Sequence, residues 1–200
     1  MVIEVSKKYL PTLAVGFESP KAKVVIADGF KYLASHKGEY DVIITDAPDP
    51  VGTRHSLQIN NLIFVAFTHH FSVGPGAALF QMEFYTLVRD ALRPDGVMCC
   101  QAENMWLHLN LIKDIIGHCS KLFASVEYGF TYVPTYPSGS LGFVVCSVQK
   151  SDVARPVRVI DAATQEKMRY YTPEMHTAAF TLPYFARKEI EAAKAAATKA

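Results

Sequence analysis

Residues 40–52 constrain the fold of this chain more than any other segment, because a short apolar run ends there in two carboxylates. The run is rich in β-branched residues, which is typical of a strand buried in a parallel sheet. Asp46 follows the run directly, and Asp49 comes three residues later. In open α/β sheets the ligand crevice lies at the carboxyl ends of the strands, so the pattern predicts a functional site here. Because Asp-Pro pairs also begin turns, a simple turn remains an alternative for Asp49.

Strand-like and helical segments alternate along the chain, which predicts an α/β protein with a largely parallel sheet. The predicted helices are residues 2–10, 30–35, 80–92 and 107–123, and the predicted strands are residues 23–27, 41–45 and 97–100. Residues 93–96 are predicted to form a turn that ends the third helix. Two β-rich runs, residues 125–133 and 141–148, flank a Pro/Gly loop and predict a terminal antiparallel pair.

The composition is that of one well-buried domain, because half of the 200 residues are hydrophobic. The 20 basic and 19 acidic residues nearly cancel, which argues against a nucleic-acid partner, since such partners need a clustered basic face. The longest apolar run, residues 62–67, is far shorter than the roughly 20 residues that span a bilayer. The amino terminus lacks the continuous apolar core of a secretory signal. We therefore expect a soluble cytoplasmic protein that does not enter a membrane.

Cysteine and histidine residues give no indication of a metal site. The four cysteines lie in or beside apolar segments without a Cys-X-X-Cys spacing, so they are predicted to be buried, reduced thiols. Adjacent His69 and His70 point in different directions on a helix or a strand and have no carboxylate or cysteine nearby. His108 and His118 are predicted at a helix surface, and Trp106 in the core. We expect no bound metal.

Four collinear segments resemble motifs of the spermidine synthases and related aminopropyltransferases. The segments are residues 27–30, 40–52, 133–139 and 170–183. They resemble, in that order, the adenine-binding Asp-Gly, the catalytic loop, the Pro-Thr-Tyr-Pro-Ser-Gly loop and the carboxyl-terminal signature of the family. The resemblance runs from the first residue to about residue 190. It implies a Rossmann-like sheet of the class I methyltransferase type that closes with an antiparallel strand pair.

The resemblance also implies roles for individual residues. A protonated amine must lose a proton before it attacks, and Asp46 is expected to accept that proton. Asp49 is expected to anchor the diamine, together with the hydroxyl and ring of Tyr136. Asp28 is expected to accept a hydrogen bond from the adenine amino group, while Gly29 lets the base approach the backbone.

Gln101 and Glu103 follow another strand end and are expected to line the amine side of the site. Pro75 resembles a family proline beside the nucleoside pocket, but here residues 53–74 separate it from the catalytic loop as an insert. The Gly-rich loop and the ribose-binding carboxylate of the family have no counterpart in this sequence, so we expect a sheet that is incomplete at the amino terminus. An incorrect gene model and a genuine variant both remain open as explanations.

The expected organisation is a partial aminopropyltransferase catalytic domain over residues 1–190, followed by a solvated Ala/Lys tail over residues 191–200. The implied reaction moves an aminopropyl group from decarboxylated S-adenosylmethionine, a co-substrate, to putrescine, and no further cofactor is expected. Spermine synthase and putrescine N-methyltransferase remain alternatives, because pocket length sets the choice of acceptor. A catalytically impaired, truncated isoform that pairs with a full-length subunit is a third alternative, since family members form homodimers.

Overall fold

The structure is a computed structural model, and it describes residues 1–46 and 81–198. The predicted features that lie outside the described residues are Asp49, Pro75, His69, His70 and the insert at residues 53–74. The elements, in chain order, are α1 (Val2–Tyr9), α2 (Pro11–Ala14), a 3-10 turn (Val15–Glu18), α3 (Gly29–Ala34), β1 (Tyr40–Thr45), α4 (Met82–Ala91), β2 (Leu92–Gln101), α5 (Leu109–Leu122), β3 (Ser125–Tyr132), a second 3-10 turn (Pro137–Gly139), β4 (Ser140–Ser147), α6 (Ala162–Gln165), α7 (Pro173–Ala179) and α8 (Tyr184–Thr198).

The four described strands form one mixed sheet in the order β1-β2-β4-β3. β1 and β2 run parallel, whereas β4 is antiparallel to both β2 and β3. The predicted antiparallel strand pair is therefore confirmed, with Gly129 of β3 opposite Phe143 of β4. Parallel pairing brings the carboxyl ends of β1 and β2 to one edge of the sheet, and this edge positions the candidate site.

One face of the sheet carries the hydrophobic core. Apolar residues of α5 at helical spacing turn one side of the helix toward this core; they are Ile112, Ile115, Ile116 and Cys119, all 0% exposed. Met98 of β2, Val144 of β4 and Val88 of α4 belong to the same buried cluster. Burial of one such side chain contributes about 1.5 to 3 kcal/mol of stability, so the contact between this face and its helices dominates the fold.

The cysteines largely follow the sequence prediction. All four are free thiols; Cys100, Cys119 and Cys146 are buried, and Cys99 is half-buried. Burial raises the pKa of Cys100 and of Cys146, because the thiolate would lose its hydration in the apolar core. These thiols therefore behave as small apolar side chains.

The predicted strand at residues 23–27 is wrong. These residues form no regular element, and Val24, Val25 and Ile26 are 38%, 41% and 85% exposed. A strand needs a neighbour for its backbone hydrogen bonds, and β1 is the outer strand of the described sheet on this side. The β-branched composition therefore predicted a strand that its surroundings do not support.

The predicted turn at residues 93–96 lies inside β2, where it forms a bulge rather than a boundary. The register with β1 is interrupted between Tyr40 and Val42, because β2 loops out opposite them. A Cβ atom on Gly96 would lie only 2.9 Å from the Cβ of Leu92, so the tight bulge requires a glycine at this position.

The predicted core position of Trp106 is wrong, because its side chain is 61% exposed. It lies in the turn between β2 and α5, outside the packed layer, where its ring centroid is 4.8 Å from that of Phe185. His108 and His118, predicted at a helix surface, are both half-buried.

The carboxyl-terminal helix continues further than the sequence suggests. α8 extends to Thr198, and Ile190 is 2% exposed against the core. Beyond it, Lys194 Nζ lies 2.8 Å from Glu127 Oε2 of β3. Residues 191–198 are thus helical and partly anchored, where the sequence predicted a solvated tail.

Candidate active site

Asp46 lies at the point where β1 ends. Thr45, the last residue of the strand, is 2% exposed and pairs with Cys100 of β2. The next residue along each parallel strand, Asp46 on one and Gln101 on the other, therefore reaches the same edge of the sheet. Asp46 is exposed, and its charge contributes to the raised pKa of the Cys100 thiol, although burial is the main cause. The predicted carboxylate and the predicted amide are thus brought together.

Asp28 begins α3 as its N-cap. Its Oδ1 accepts hydrogen bonds from the backbone N–H groups of Phe30, at 3.0 Å, and Lys31, at 3.3 Å. A cap of this kind stabilises a helix by about 1 kcal/mol. Phe30 contacts Phe84 of α4 at a centroid distance of 5.5 Å, which fixes the start of α3 against the core. The side chain predicted to bind adenine therefore also has a structural role, and Gly29 beside it is buried.

The chain bends sharply where β2 ends. Glu103 has a φ of 57°, in the left-handed region that is uncommon for residues other than glycine. The Glu103 side chain is 6% exposed, and its Oε2 lies 2.9 Å from Nδ1 of His108. Gln101, just before the bend, is half-buried. The bend therefore buries the carboxylate of Glu103, which the sequence predicted to line the amine side together with Gln101.

The loop of residues 133–139 carries Tyr136. Three backbone hydrogen bonds of 2.9 Å close it: Val133 N to Gly139 O, Tyr136 N to Val133 O, and Gly139 N to Tyr136 O. Ser138 and Gly139 have φ values of 60° and 66°, so the loop is a tight and specific turn. Tyr136 is 47% exposed, which leaves its ring accessible to a ligand.

Asn104 links this loop to the end of β2, and sequence reasoning missed it. Its Nδ2 donates to the backbone oxygen of Ser140 at 3.0 Å and to the Ser140 Oγ at 2.6 Å. Its Oδ1 accepts from the backbone N–H of Trp106 at 2.8 Å. Asn104 and Ser140 are only 5% and 6% exposed. Both the nitrogen and the oxygen of the buried Asn104 amide are therefore hydrogen-bonded.

A second link joins the same two segments. The backbone oxygen of Glu103 accepts from Gly142 N at 2.8 Å and from the Tyr128 hydroxyl at 3.0 Å. The backbone oxygen of Gly142 in turn accepts from Ala102 N at 2.8 Å. A Cβ atom at position 142 would lie 1.9 Å from the Tyr128 hydroxyl, so only glycine fits. A glycine inside a strand-like run was the available signal of this close approach.

The carboxyl-terminal signature packs against β3. His176 of α7 is held by the Tyr171 hydroxyl at Nδ1 and by the Val153 backbone oxygen at Nε2, both at 3.1 Å. The hydroxyls of Tyr170 and Thr131 are also hydrogen-bonded. Between α7 and the sheet is a cavity of about 620 Å³. Its apolar lining includes Cys99, Phe130, Phe143, Val145 and Phe180.

The described part of the chain contains no group of three or more His, Cys, Asp or Glu side chains that could hold a metal ion. Over the same residues, no helix is long and apolar enough to cross a membrane.

An α/β sheet with polar side chains at the carboxyl ends of adjacent parallel strands is typical of proteins that bind nucleotides at those strand ends. The family model described as the spermine/spermidine synthase domain matches residues 1–67 and 55–155. The chain therefore belongs to the spermine/spermidine synthase family.

Individual relatives agree with this assignment. The chain is 41% identical over 189 residues to a spermidine synthase of Dictyostelium discoideum, a match that covers 94% of this chain and 58% of the relative. It is 42% identical over 194 residues to a spermidine synthase of Schizosaccharomyces pombe, covering 96% and 58%. A spermine synthase of Arabidopsis thaliana is 41% identical over 198 residues, covering 95% and 49%. The chain thus spans about half to three fifths of the length of these relatives.

Solved structures show the same fold. A spermidine synthase in complex with the transition state analogue AdoDATO superimposes with a TM-score of 0.71 at 30% identity, covering 96% of this chain and 58% of that one. The spermidine synthase of Thermotoga maritima gives a TM-score of 0.70 at 30% identity, covering 96% and 57%. The predicted Rossmann-like sheet of the methyltransferase type is therefore confirmed.

Proposed function

We propose that this protein is an aminopropyltransferase of the spermidine synthase type, which moves an aminopropyl group from decarboxylated S-adenosylmethionine to putrescine. The observation that carries the proposal is the pairing of Thr45 with Cys100, which brings Asp46 and Gln101 to one edge of the sheet. Membership of the spermine/spermidine synthase family supports it. A solved relative holds a transition state analogue, which supports a nucleoside-type co-substrate.

In the proposed reaction, the amine nitrogen of putrescine attacks the aminopropyl carbon next to the sulfonium. A new carbon–nitrogen bond forms, the carbon–sulfur bond breaks, and its electron pair neutralises the sulfur to give methylthioadenosine. Asp46 accepts the proton that the amine loses, since a protonated amine has no free electron pair. Holding the amine beside the sulfonium carbon supplies much of the rate enhancement through proximity.

The other residues divide between the two substrates. Asp28 and Gly29, at the start of α3, are assigned to the nucleoside, and Pro75 is expected beside it. Tyr136 and Gln101 are assigned to the amine, because an exposed phenol and an amide can receive an ammonium by cation–π contact and hydrogen bonding. Asp49 is assigned to the same ammonium group as its anchor.

The acceptor amine is a second question. The identity to the Arabidopsis spermine synthase, 41%, equals that to the Dictyostelium spermidine synthase, so spermidine as acceptor is the second candidate. Putrescine N-methyltransferase and an impaired isoform remain alternatives. A homodimer is part of the proposal. A cytoplasmic location is proposed on the four free thiols, because reducing compartments preserve such thiols.

The test compares Asp46→Asn with Asp95→Asn, an exposed carboxylate at the opposite end of β2. Asp46→Asn should lower aminopropyl transfer to putrescine by about 100-fold or more without unfolding the protein, because it removes the proton acceptor at constant volume. Asp95→Asn should leave the rate unchanged. Equal turnover of both variants would exclude the role of Asp46.

Calorimetry of the unmodified chain with methylthioadenosine separates the enzyme from the impaired isoform. Micromolar binding together with transfer to putrescine supports the enzyme and removes the isoform alternative. Weak binding with transfer far below that of a full-length relative supports the impaired isoform.

A further inference from the structure

We propose that Asn104 is a positioning residue that fixes Tyr136 relative to Gln101 and thereby sets the affinity for the amine substrate. This inference rests on the proposed function, because it concerns the amine side of the same site. Asn104 itself is 5% exposed and does not need to touch the substrate.

Asn104 connects two segments that are far apart in sequence, and its hydrogen bonds to Ser140 are called the joint below. Gln101 ends β2, and Asn104 follows it directly after the bend at Glu103. Ser140, at the start of β4, directly follows the loop that carries Tyr136. The Asn104 Nδ2 donates to two acceptors of Ser140, its backbone oxygen and its hydroxyl.

The loop itself transmits this constraint. Its three backbone hydrogen bonds tie Val133, Tyr136 and Gly139 into one closed unit. A unit closed in this way moves as a body, so a displacement of Ser140 displaces Tyr136. The hydrogen bond from Gly142 N to Glu103 O connects the same two segments on the other side of Asn104. Only glycine fits at position 142.

The geometry matters for a diamine because its two ammonium groups are a fixed chain length apart. The side chains that bind the two ammonium groups must therefore be held a matching distance apart. If they are mobile in the free protein, ordering them on binding costs free energy and lowers the affinity. The nucleoside residues belong to a different element, at the start of α3, where Asp28 Oδ1 accepts from the backbone N–H groups of Phe30 and Lys31. The joint should therefore act on the amine and spare the nucleoside.

Two serines of the same strand provide a matched test. Ser140→Ala removes the hydroxyl that accepts from Asn104 Nδ2, and Ser147→Ala removes a hydroxyl at the other end of β4; both residues are buried, at 6% and 1% exposure. Loss of one buried hydrogen bond should weaken putrescine binding by about 3- to 10-fold in Ser140→Ala, and Asn104→Ala should weaken it further. Ser147→Ala should change the affinity for putrescine by less than about twofold, because the Asn104 amide is bonded to Ser140 at the other end of the strand.

Calorimetry with putrescine and, separately, with methylthioadenosine gives the readout. Weaker putrescine binding with unchanged methylthioadenosine binding in Ser140→Ala supports the inference, because a general loss of structure would weaken both. Equal putrescine affinity of the two serine variants would overturn the inference and leave the proposed function standing. If the unmodified protein binds no putrescine, the proposed function fails and the inference with it.

Hydrogen exchange provides a second measurement that needs no ligand. The amides of the non-proline residues in 133–140 should exchange faster in Ser140→Ala than in Ser147→Ala. The chain has a single tryptophan, Trp106, whose backbone is bonded to Asn104, so its fluorescence should also change in Asn104→Ala. Unchanged exchange in the loop would overturn the inference whatever the binding data show.

Discussion

The two faces of the sheet are packed very differently. On one face α4 and α5 lie against the strands, with α3 packed on α4 and α8 packed on α5, and residues such as Val144 and Ile116 are 0% exposed. On the other face Val42 and Ile44 of β1 are 58% and 43% exposed. Over part of that face α7 faces the strands, and a cavity lies between them. Alternate residues of one strand therefore have opposite surroundings.

The difference shows where this chain obtains its stability. The helical face buries enough apolar surface to hold the sheet together. The α7 face is only partly covered, and the cavity between α7 and the strands has a volume of about 620 Å³. The candidate site lies at the carboxyl ends of the strands, so the helical face supports the strands that carry Asp46 and Gln101 without lining the site itself.

The largest expected effect is the loss of a core side chain on the helical face. Ile116→Ala should lower the free energy of unfolding by about 2 to 5 kcal/mol, because it leaves a cavity in a fully packed layer. Val42→Ala, on the exposed face, should lower it by less than about 1 kcal/mol. Urea unfolding followed by circular dichroism measures both, and equal losses would show that the two faces contribute equally.

Two glycine substitutions, one on each face, should change the stability of the protein in opposite directions. An added Cβ on Gly129 would lie 3.1 Å from Phe180 Cε1 and 3.2 Å from the Ala179 backbone oxygen, so Gly129→Ala should press against the end of α7. We expect a loss of about 1 to 3 kcal/mol of stability from this overpacking. An added Cβ on Gly117 of α5 meets nothing within 4 Å, and Gly117→Ala should stabilise by about 0.5 to 1 kcal/mol.

The same urea experiment measures the glycine variants. A stable Gly129→Ala protein would mean that α7 does not press on β3 in solution. The conclusion that α7 packs tightly against β3 at Gly129 would then be wrong.

The two ion pairs made by α8 should contribute least to stability. Lys194→Met breaks the 2.8 Å contact with Glu127, and Lys113→Met breaks the 2.6 Å contact with Glu189. Each should cost less than about 1 kcal/mol, because the pairs are partly exposed and screened by water. Double-mutant cycles with the partner glutamates isolate the pair energies. A coupling well above this value would mean that charge, and not apolar packing, holds α8 in place.

Local sequence patterns predicted the elements whose signals lie within one segment. The period of Ile112, Ile115 and Ile116 encodes α5 and the side that it buries. The β-branched run before Asp46 encodes β1, and the Pro/Gly loop between two β-rich runs encodes the antiparallel pair. These signals survive because they act between residues that are neighbours along the chain.

Features that depend on residues far apart in the chain could be seen only in the folded protein. The β-branched residues 23–27 have no strand beside them, and Trp106 lies outside the packed layer. The hydrogen bonds of Asn104 to Ser140 join residues 36 positions apart, and no local pattern marks them. Backbone and side-chain polar groups are satisfied by whatever the whole fold brings next to them. For that reason the sequence could indicate Asp46 and Tyr136 as candidate site residues, while the contacts that hold the candidate site together depend on the whole fold.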